Sequence, residues 1–149
     1  RWVEGCYCLP DAALKSALGS ITRQYQFVLI DSPAGLEHLN RKIAGSVDTI
    51  VDIMGPSSKS FHHVKRAYRL VREVGIRCRR FVTIGGFAFP ENLGTRAMNE
   101  TGLEYLGKIQ EDPLVAEYVL SGRSLLDVPK SSPAFLSVGR IVERIVHDQ

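Results

Sequence analysis

At 149 residues the chain has about the size of one domain and is long enough to bury a hydrophobic core. Hydrophobic residues make up 44% of it, yet no apolar run approaches the roughly 20 residues that span a bilayer, which excludes a transmembrane segment. The net charge is +3, and the three cysteines are an odd number, which argues against a secreted disulfide framework. We therefore expect a single domain over residues 1–149, or part of one, in the cytoplasm.

The first half of the chain alternates helical and strand patterns. Pro10 and Gly19 bracket a predicted helix, because proline favours the first helical position and glycine the position after the end. Four consecutive apolar residues predict a short buried strand at 27–30. A short helix over 36–44 and a second apolar strand over 49–54 follow.

The second half continues the alternation. Ser57 or Ser58 is placed to cap a long helix that Gly75 ends. The remaining predicted elements are strands at 80–84 and within 103–109, and helices at 92–99, 114–120 and 133–146. Strands that alternate with helices predict an α/β fold in three layers, with a mostly parallel sheet and helices on both of its faces.

The run that follows the first predicted strand is the most informative part of the sequence. Asp31 directly follows the strand, at the edge where open α/β sheets bind ligands and where nucleotide-hydrolysing folds place an acid that holds a magnesium-bound water. The string Asp-Ser-Pro-Ala-Gly-Leu-Glu at 31–37 resembles the second switch of the MinD/ParA group of P-loop ATPases. The resemblance implies a MinD-like fold with ATP and Mg²⁺ as cofactors, a catalytic and nucleotide-binding role for Asp31, and a terminal-phosphate contact at Gly35.

An ATPase of this group also needs a glycine-rich loop that ends in Gly-Lys-Ser/Thr, because backbone amides and the lysine surround the phosphates. The sequence contains no such loop. The imitation at 55–60, Gly-Pro-Ser-Ser-Lys-Ser, is too short and is better interpreted as a capped helix start. The chain also opens without methionine, so we expect the C-terminal portion of a nucleotide-binding domain that is inactive alone.

A second segment extends the resemblance. Residues 107–115 are similar to the Gly-x-Ile-Pro-Glu-Asp segment that passes near the adenine in this family, which implies nucleotide contacts for Glu111 and Asp112. Three places depart from the family pattern, and one of them is Asp52, which interrupts a strand that should be continuously apolar. Gln110 stands at the proline of that segment, and Gly85-Gly86 stands where the third strand of the family runs into an adenine-reading asparagine. These departures keep a degenerate ATPase open as an alternative.

Cys6 and Cys8 point to one branch of the family. Their Cys-x-Cys spacing resembles that of the CooC-type ATPases, the nickel-handling accessory proteins of carbon monoxide dehydrogenase. In an extended segment residues two apart face the same side, so both thiolates can reach one soft ion such as Ni²⁺ or Zn²⁺. Two sulfurs fill half of a four-coordinate site, and the second subunit of a homodimer would supply the other two. The alternative is a pair of small, partly buried cysteines without a ligand.

These features lead to one main functional hypothesis and two alternatives. The main hypothesis is a CooC/MinD-like ATPase that acts as a nucleotide-dependent dimeric switch for nickel insertion into a client metalloenzyme such as carbon monoxide dehydrogenase. The alternatives are a non-catalytic dimerisation module and a partitioning protein that binds DNA or a membrane surface. Nucleic acid is disfavoured as a partner because a series of aromatic residues interleaved with the arginines of the long helix is absent, Tyr68 being the single aromatic residue among them.

Overall fold

The computed structural model describes residues 8–32 and 46–147. Their contacts form two compact units. The first unit contains the described residues within 1–47 and residues 67–77. The second unit contains residues 48–66 and the described residues within 78–149.

The described part of the chain contains five α-helices and three β-strands. In chain order they are α1 (Cys8–Ile21), β1 (Ser46–Met54), α2 (Ser58–Glu73), β2 (Arg77–Gly85), α3 (Gly94–Thr101), β3 (Glu104–Lys108), α4 (Pro113–Ser121) and α5 (Pro133–His147). Short 3-10 helices cover Thr22–Gln24, Glu91–Leu93 and Leu125–Asp127. Among these helices none has both the length and the apolar character needed to cross a bilayer.

The three strands form an open, mostly parallel sheet in the order β1-β2-β3. Strands β2 and β3 run parallel, with Val82 opposite Glu104 and Gly85 opposite Lys108. The register shifts by one residue before Lys108, and Gly107 in β3 has a φ of 131°, a conformation that glycine accepts without strain. This bulge belongs to the end of the sheet where its strands run into loops.

Helices cover both faces of the sheet, as the sequence predicts. Leu106 in β3 packs with Ile141 of α5, in a cluster that also contains Val82 and Ile84 of β2. Tyr105 points to the opposite face, because successive strand residues alternate, and there it lies against α3 at Gly94. The predicted α/β fold class is therefore confirmed.

Most predicted elements match the structure, with two corrections near the amino terminus. Helix α1 begins at Cys8 and runs through Gly19 to Ile21, so the predicted start is wrong by two residues and the predicted end by three. No strand forms at 27–30, where the backbone is irregular and the side chains are exposed. The helix predicted at 36–44 lies outside the described residues.

Candidate functional site

The segment before Asp31 does not form the predicted buried strand. Its apolar side chains are exposed, Leu29 by 96% and Phe27 by 60%. A strand is stable only when a neighbour takes up its backbone N–H and C=O groups, and within the described residues this segment pairs with no other strand. The apolar run therefore has β-strand composition without the pairing that would bury it.

Asp31 itself is exposed to solvent. Its carboxylate is a hard oxygen donor of the kind that magnesium and its bound waters prefer, so the residue fits the cation that the family resemblance implies. Gly35, the predicted phosphate contact, lies outside the described residues. The catalytic and nucleotide-binding roles of both residues stay predictions.

The predicted metal pair is only partly described. Cys8 is the first residue of α1, so it stands at a helix start and not within an extended segment. Cys6 lies outside the described residues, and the metal assignment stays a prediction. Across residues 8–32 and 46–147 no three or more His, Cys, Asp or Glu side chains cluster closely enough to hold a metal ion. Two thiolates fill half of a four-coordinate site, so Ni²⁺ or Zn²⁺ at the predicted pair would take further ligands.

The carboxyl ends of the three strands are tied together by backbone hydrogen bonds. The N–H of Gly86 donates to the carbonyl of Met54 at 2.9 Å, which links the ends of β2 and β1. The N–H of Ile109 donates to the carbonyl of Gly85 at 2.8 Å, which links the ends of β3 and β2. Backbone hydrogen bonds thus link all three strands at this edge, where open α/β sheets bind ligands.

Gly85 occupies a position that admits no side chain. A Cβ at this residue would lie 2.6 Å from Cγ of Phe89, whose ring is 99% buried. The ring is held between Phe61, at 6.3 Å between centroids in an edge-to-face pair, and Tyr105, at 5.6 Å. The aromatic ring therefore fills the space that a side chain at position 85 would need. Sequence reasoning missed Phe89 because the residue lies in a loop.

The two predicted nucleotide contacts at 111 and 112 differ in environment. Glu111 is exposed and free to meet a ligand, whereas Asp112 is buried. One carboxylate oxygen of Asp112 accepts the N–H of Leu114 at 3.0 Å and caps α4, and the other accepts the N–H of Ala134 at 3.2 Å in the first turn of α5. Asp112 thus joins two helix starts. Its predicted contact with nucleotide stays a prediction.

The pKa of Asp112 follows from these contacts. A hydrogen bond from the side chain of Ser132 is the main cause that lowers the pKa below its ordinary value, and burial opposes it. Backbone N–H groups of Ala134, Leu114 and Val115 lower the pKa further. The carboxylate is therefore held in its charged form at neutral pH.

A polar group next to Glu111 was not anticipated from the sequence. The amide nitrogen of Gln110 donates to the carboxylate of Glu91 at 2.6 Å, and the backbone N–H of Gln110 donates to the hydroxyl of Ser137 at 3.0 Å. Burial, followed by the negative charge of Glu91, raises the pKa of Tyr105. Together these residues line a groove of about 220 Å³ beside β3. The one sequence signal for this groove was Gln110, which stands where the resembling family segment has proline.

The loop between β1 and α2 is a capped helix start, as the sequence predicts. The hydroxyl of Ser57 accepts the N–H of Ser60 at 3.2 Å, which is the hydrogen bond of an N-cap. The hydroxyl of Ser60 accepts the N–H of Gly55 at 2.9 Å and closes the turn. The imitation of a phosphate loop is thereby explained by local capping.

Several characterised and uncharacterised proteins resemble this chain in sequence. It is 30% identical over 146 residues to an uncharacterised ATP-binding protein of Methanocaldococcus jannaschii, which covers 97% of this chain and 58% of that protein. It is 30% identical over 132 residues to the carbon monoxide dehydrogenase accessory protein CooC of Rhodospirillum rubrum, over 88% of this chain and 49% of CooC. It is 25% identical to the cytosolic Fe-S cluster assembly factor NBP35 of Kluyveromyces lactis, over 91% of this chain and 47% of NBP35. The chain thus spans about half the length of the curated relatives it matches, and no family model matches it.

Solved structures resemble the fold. The cell division protein MinD of Aquifex aeolicus superposes with a TM-score of 0.72 at 20% identity, over 93% of this chain and 61% of MinD. The septum site-determining protein MinD of Pyrococcus horikoshii, complexed with Mg-ADP, superposes with a TM-score of 0.69 at 19% identity, over 91% of this chain and 56% of that protein. The fold is therefore that of the MinD-like P-loop NTPases.

Proposed function

We propose that this chain, a relative of the MinD/ParA-type P-loop ATPases and of CooC, is the C-terminal part of a nucleotide-dependent switch that inserts nickel into a metalloenzyme. The observation that carries the proposal is the similarity to CooC over 88% of the chain. The similarity to NBP35, named as a cluster assembly factor, supports a role in metal-centre assembly more generally.

In this proposal the intact protein binds ATP and Mg²⁺ and forms a homodimer. The exposed carboxylate of Asp31 would hold the water bound to Mg²⁺, and Gly35 would meet the terminal phosphate. Glu111 would face the base from the loop after β3, while Asp112 holds that loop against α4 and α5. Bound Mg²⁺ would neutralise the charge of the phosphates. The nucleotide state then biases the dimer equilibrium.

The cargo of the switch would be a soft metal ion held by Cys6 and Cys8. Thiolates prefer Ni²⁺ or Zn²⁺ over hard cations, and two subunits would supply the four sulfurs of a complete site. Dimerisation would therefore complete the metal site, and separation of the subunits would release the ion toward the client enzyme.

Metal titration of the reduced, tag-free intact protein tests the cargo. We expect the parent to bind about one Ni²⁺ or Zn²⁺ per dimer, since the site takes two thiolates from each subunit. The double variant Cys6→Ser with Cys8→Ser should lose this binding. The matched control is Cys78→Ala, which removes the half-buried third thiol and should leave the stoichiometry unchanged. Equal binding by the double variant and the parent would overturn the metal assignment.

The packing at Gly85 favours one alternative, a pseudo-ATPase that keeps the fold and the dimer. The Phe89 ring leaves no room for a side chain at position 85, so an adenine contact from a side chain at that position would be lost in this chain. Calorimetric titration of the intact protein with ATP and Mg²⁺ separates the two cases. Micromolar binding supports the switch, and absence of binding in a protein that still takes up metal supports the pseudo-ATPase.

A further inference from the structure

Strand β3 has an open edge. The described strands pair in the order β1-β2-β3, so among them β3 has a neighbour on one side only. An unpaired strand edge presents a row of backbone N–H and C=O groups that can pair with another extended segment. The residues of this edge and of the helix beside it, α5, all belong to the second unit.

The register shows which backbone groups face the open side. The N–H of Gly86 bonds to β1, whereas the C=O of Gly85 accepts an N–H from the end of β3. Successive strand residues face opposite sides, so Gly85 and Thr83 turn their backbone groups toward β3. Their partners across the parallel ladder, Lys108 and Tyr105, therefore turn their own N–H and C=O groups away from β2. These two residues supply the donors and acceptors of the open edge.

The groove of about 220 Å³ runs along this edge, with residues 105–108 of β3 on one side and α5 on the other. Two hydrogen bonds hold α5 beside the strand. The guanidinium of Arg144 donates to the carbonyl of Leu106 at 2.8 Å, and the N–H of Gln110 donates to the hydroxyl of Ser137 at 3.0 Å. Four strand residues extend over about 13 Å, so the groove suits a segment of about four extended residues.

The side chains that line the groove carry a net positive charge. Lys108 and Arg140 both line it, and neither forms an ion pair with any residue that the structure describes. The single acid of the lining, Glu91, already accepts a hydrogen bond from the amide of Gln110 at 2.6 Å. Two cations without a partner, beside one acid that has a partner, favour carboxylates in the occupant.

The backbone edge and the charges together select one kind of occupant. An extended peptide can pair its main chain with Tyr105 and Lys108, as in β-strand addition, whereas a duplex or a lipid surface has no backbone amides with which to do so. A second copy of β3 is disfavoured, because a twofold pairing centred on Leu106 would bring two Arg144 guanidiniums together at the axis. An acidic segment of another protein meets both conditions.

We propose that the open edge of β3 is a docking site for an extended, acidic segment of a partner protein. The segment adds to the sheet as a further strand, and its main chain bonds to Tyr105 and Lys108. Its Asp or Glu side chains meet the cations of Lys108 and Arg140. The site uses neither nucleotide nor thiolates, so it can fail while the proposed switch stands, and the reverse also holds.

Fluorescence anisotropy with the full chain measures this binding. The probe is a labelled peptide of about six residues in which Glu alternates with Val, a strand former, at roughly physiological salt. We expect saturable binding by the parent chain. The same peptide with Gln in place of Glu should bind about tenfold more weakly, because its charge-assisted contacts are lost. A version N-methylated along its backbone keeps the charges but cannot donate to the strand, and should also lose about tenfold or more.

A charge variant of the chain gives a second test. Lys108→Gln with Arg140→Gln should weaken binding of the Glu peptide about tenfold, since both cations of the groove are lost. The matched control is Arg66→Gln with Lys130→Gln, which removes two exposed cations outside the groove and should bind within about twofold of the parent. Circular dichroism checks that each variant is folded. The peptide series against the parent chain covers the case in which the groove variant is not.

Amide chemical shifts of the isotope-labelled chain locate the site, and we expect the N–H signals of Tyr105 and Lys108 to move as the Glu peptide is added. Absence of binding, or shifts elsewhere alone, would overturn the proposal. Equal binding of the N-methylated peptide would overturn strand addition, and equal binding of the Gln peptide would overturn the acidic occupant. Glutarate that binds as tightly as the peptide would assign the groove to a small anion. A dimer mass in light scattering that Lys108→Gln with Arg140→Gln abolishes would assign the edge to a second copy.

Discussion

Replacing Gly85 with alanine would drive a methyl group into the ring of Phe89. The new Cβ would lie 2.6 Å from Cγ of the ring, whereas ordinary van der Waals contacts begin near 3.4 Å. The ring cannot move into solvent, because it is buried between Phe61 and Tyr105. Overpacking of this kind costs about 1–3 kcal/mol. Urea unfolding of the chain, followed by circular dichroism, should show this loss in the free energy of unfolding.

A control and a double variant sharpen the test. Gly86→Ala places its Cβ at 3.6 Å from the nearest atoms, an ordinary contact, and should change stability by less than about 0.5 kcal/mol. Phe89→Ala removes the ring and should cost about 3–5 kcal/mol. In the variant with both Gly85→Ala and Phe89→Ala the clash is gone, so the combined loss should be smaller than the sum by about 1 kcal/mol or more. Equal costs for Gly85→Ala and Gly86→Ala would refute the packing account of this position.

Two further predictions concern the links between the helices and strand β3. Because the pKa of Asp112 is lowered in the folded chain, its stabilising contribution is complete above its ordinary pKa of 3.8 and is lost as the pH falls through the lower folded value. Asp112→Asn should therefore flatten the pH dependence of the unfolding free energy below about pH 4, and an unchanged slope in an acid titration would contradict this. One carboxylate oxygen of Glu104 accepts a hydrogen bond from the guanidinium of Arg80 at 2.9 Å, and the other lies 3.6 Å from the guanidinium of Arg144 in α5. Glu104→Gln should cost about 0.5–1 kcal/mol at low salt, because the pairs are partly exposed, and the difference from the parent should shrink at high salt in urea unfolding.

The pattern of apolar residues in the sequence correctly predicted the strands and helices that pack against other elements within the described residues. The strand at 80–84 and the helix after Asp112-Pro113 appear as β2 and α4, because their apolar residues meet a sheet and helices that the described residues themselves provide. The segment at 27–30 has the same apolar signal, but burial of a strand also needs a hydrogen-bonding neighbour. Composition cannot reveal whether that neighbour is present.

At the candidate site too, the sequence predicted which residues to consider, but only the structure shows their contacts. The sequence marked Glu111 and Asp112 as a pair, yet only contacts in three dimensions show that Asp112 caps two helix starts while Glu111 is exposed. The exclusion of a side chain at Gly85 depends on Phe89, a residue four positions later in a loop. Its burial follows from rings on α2 and β3, which no periodicity in the loop could indicate.

Light scattering of the intact protein, with and without ATP and Mg²⁺, tests the nucleotide switch most directly. We expect a dimer mass with ATP and Mg²⁺ and a monomer mass without them. The variant Asp31→Asn, which would slow hydrolysis, should remain dimeric long after the parent has returned to monomer, whereas Asp48→Asn, at another exposed acid, should behave like the parent. A mass that does not respond to nucleotide in the parent would contradict the account.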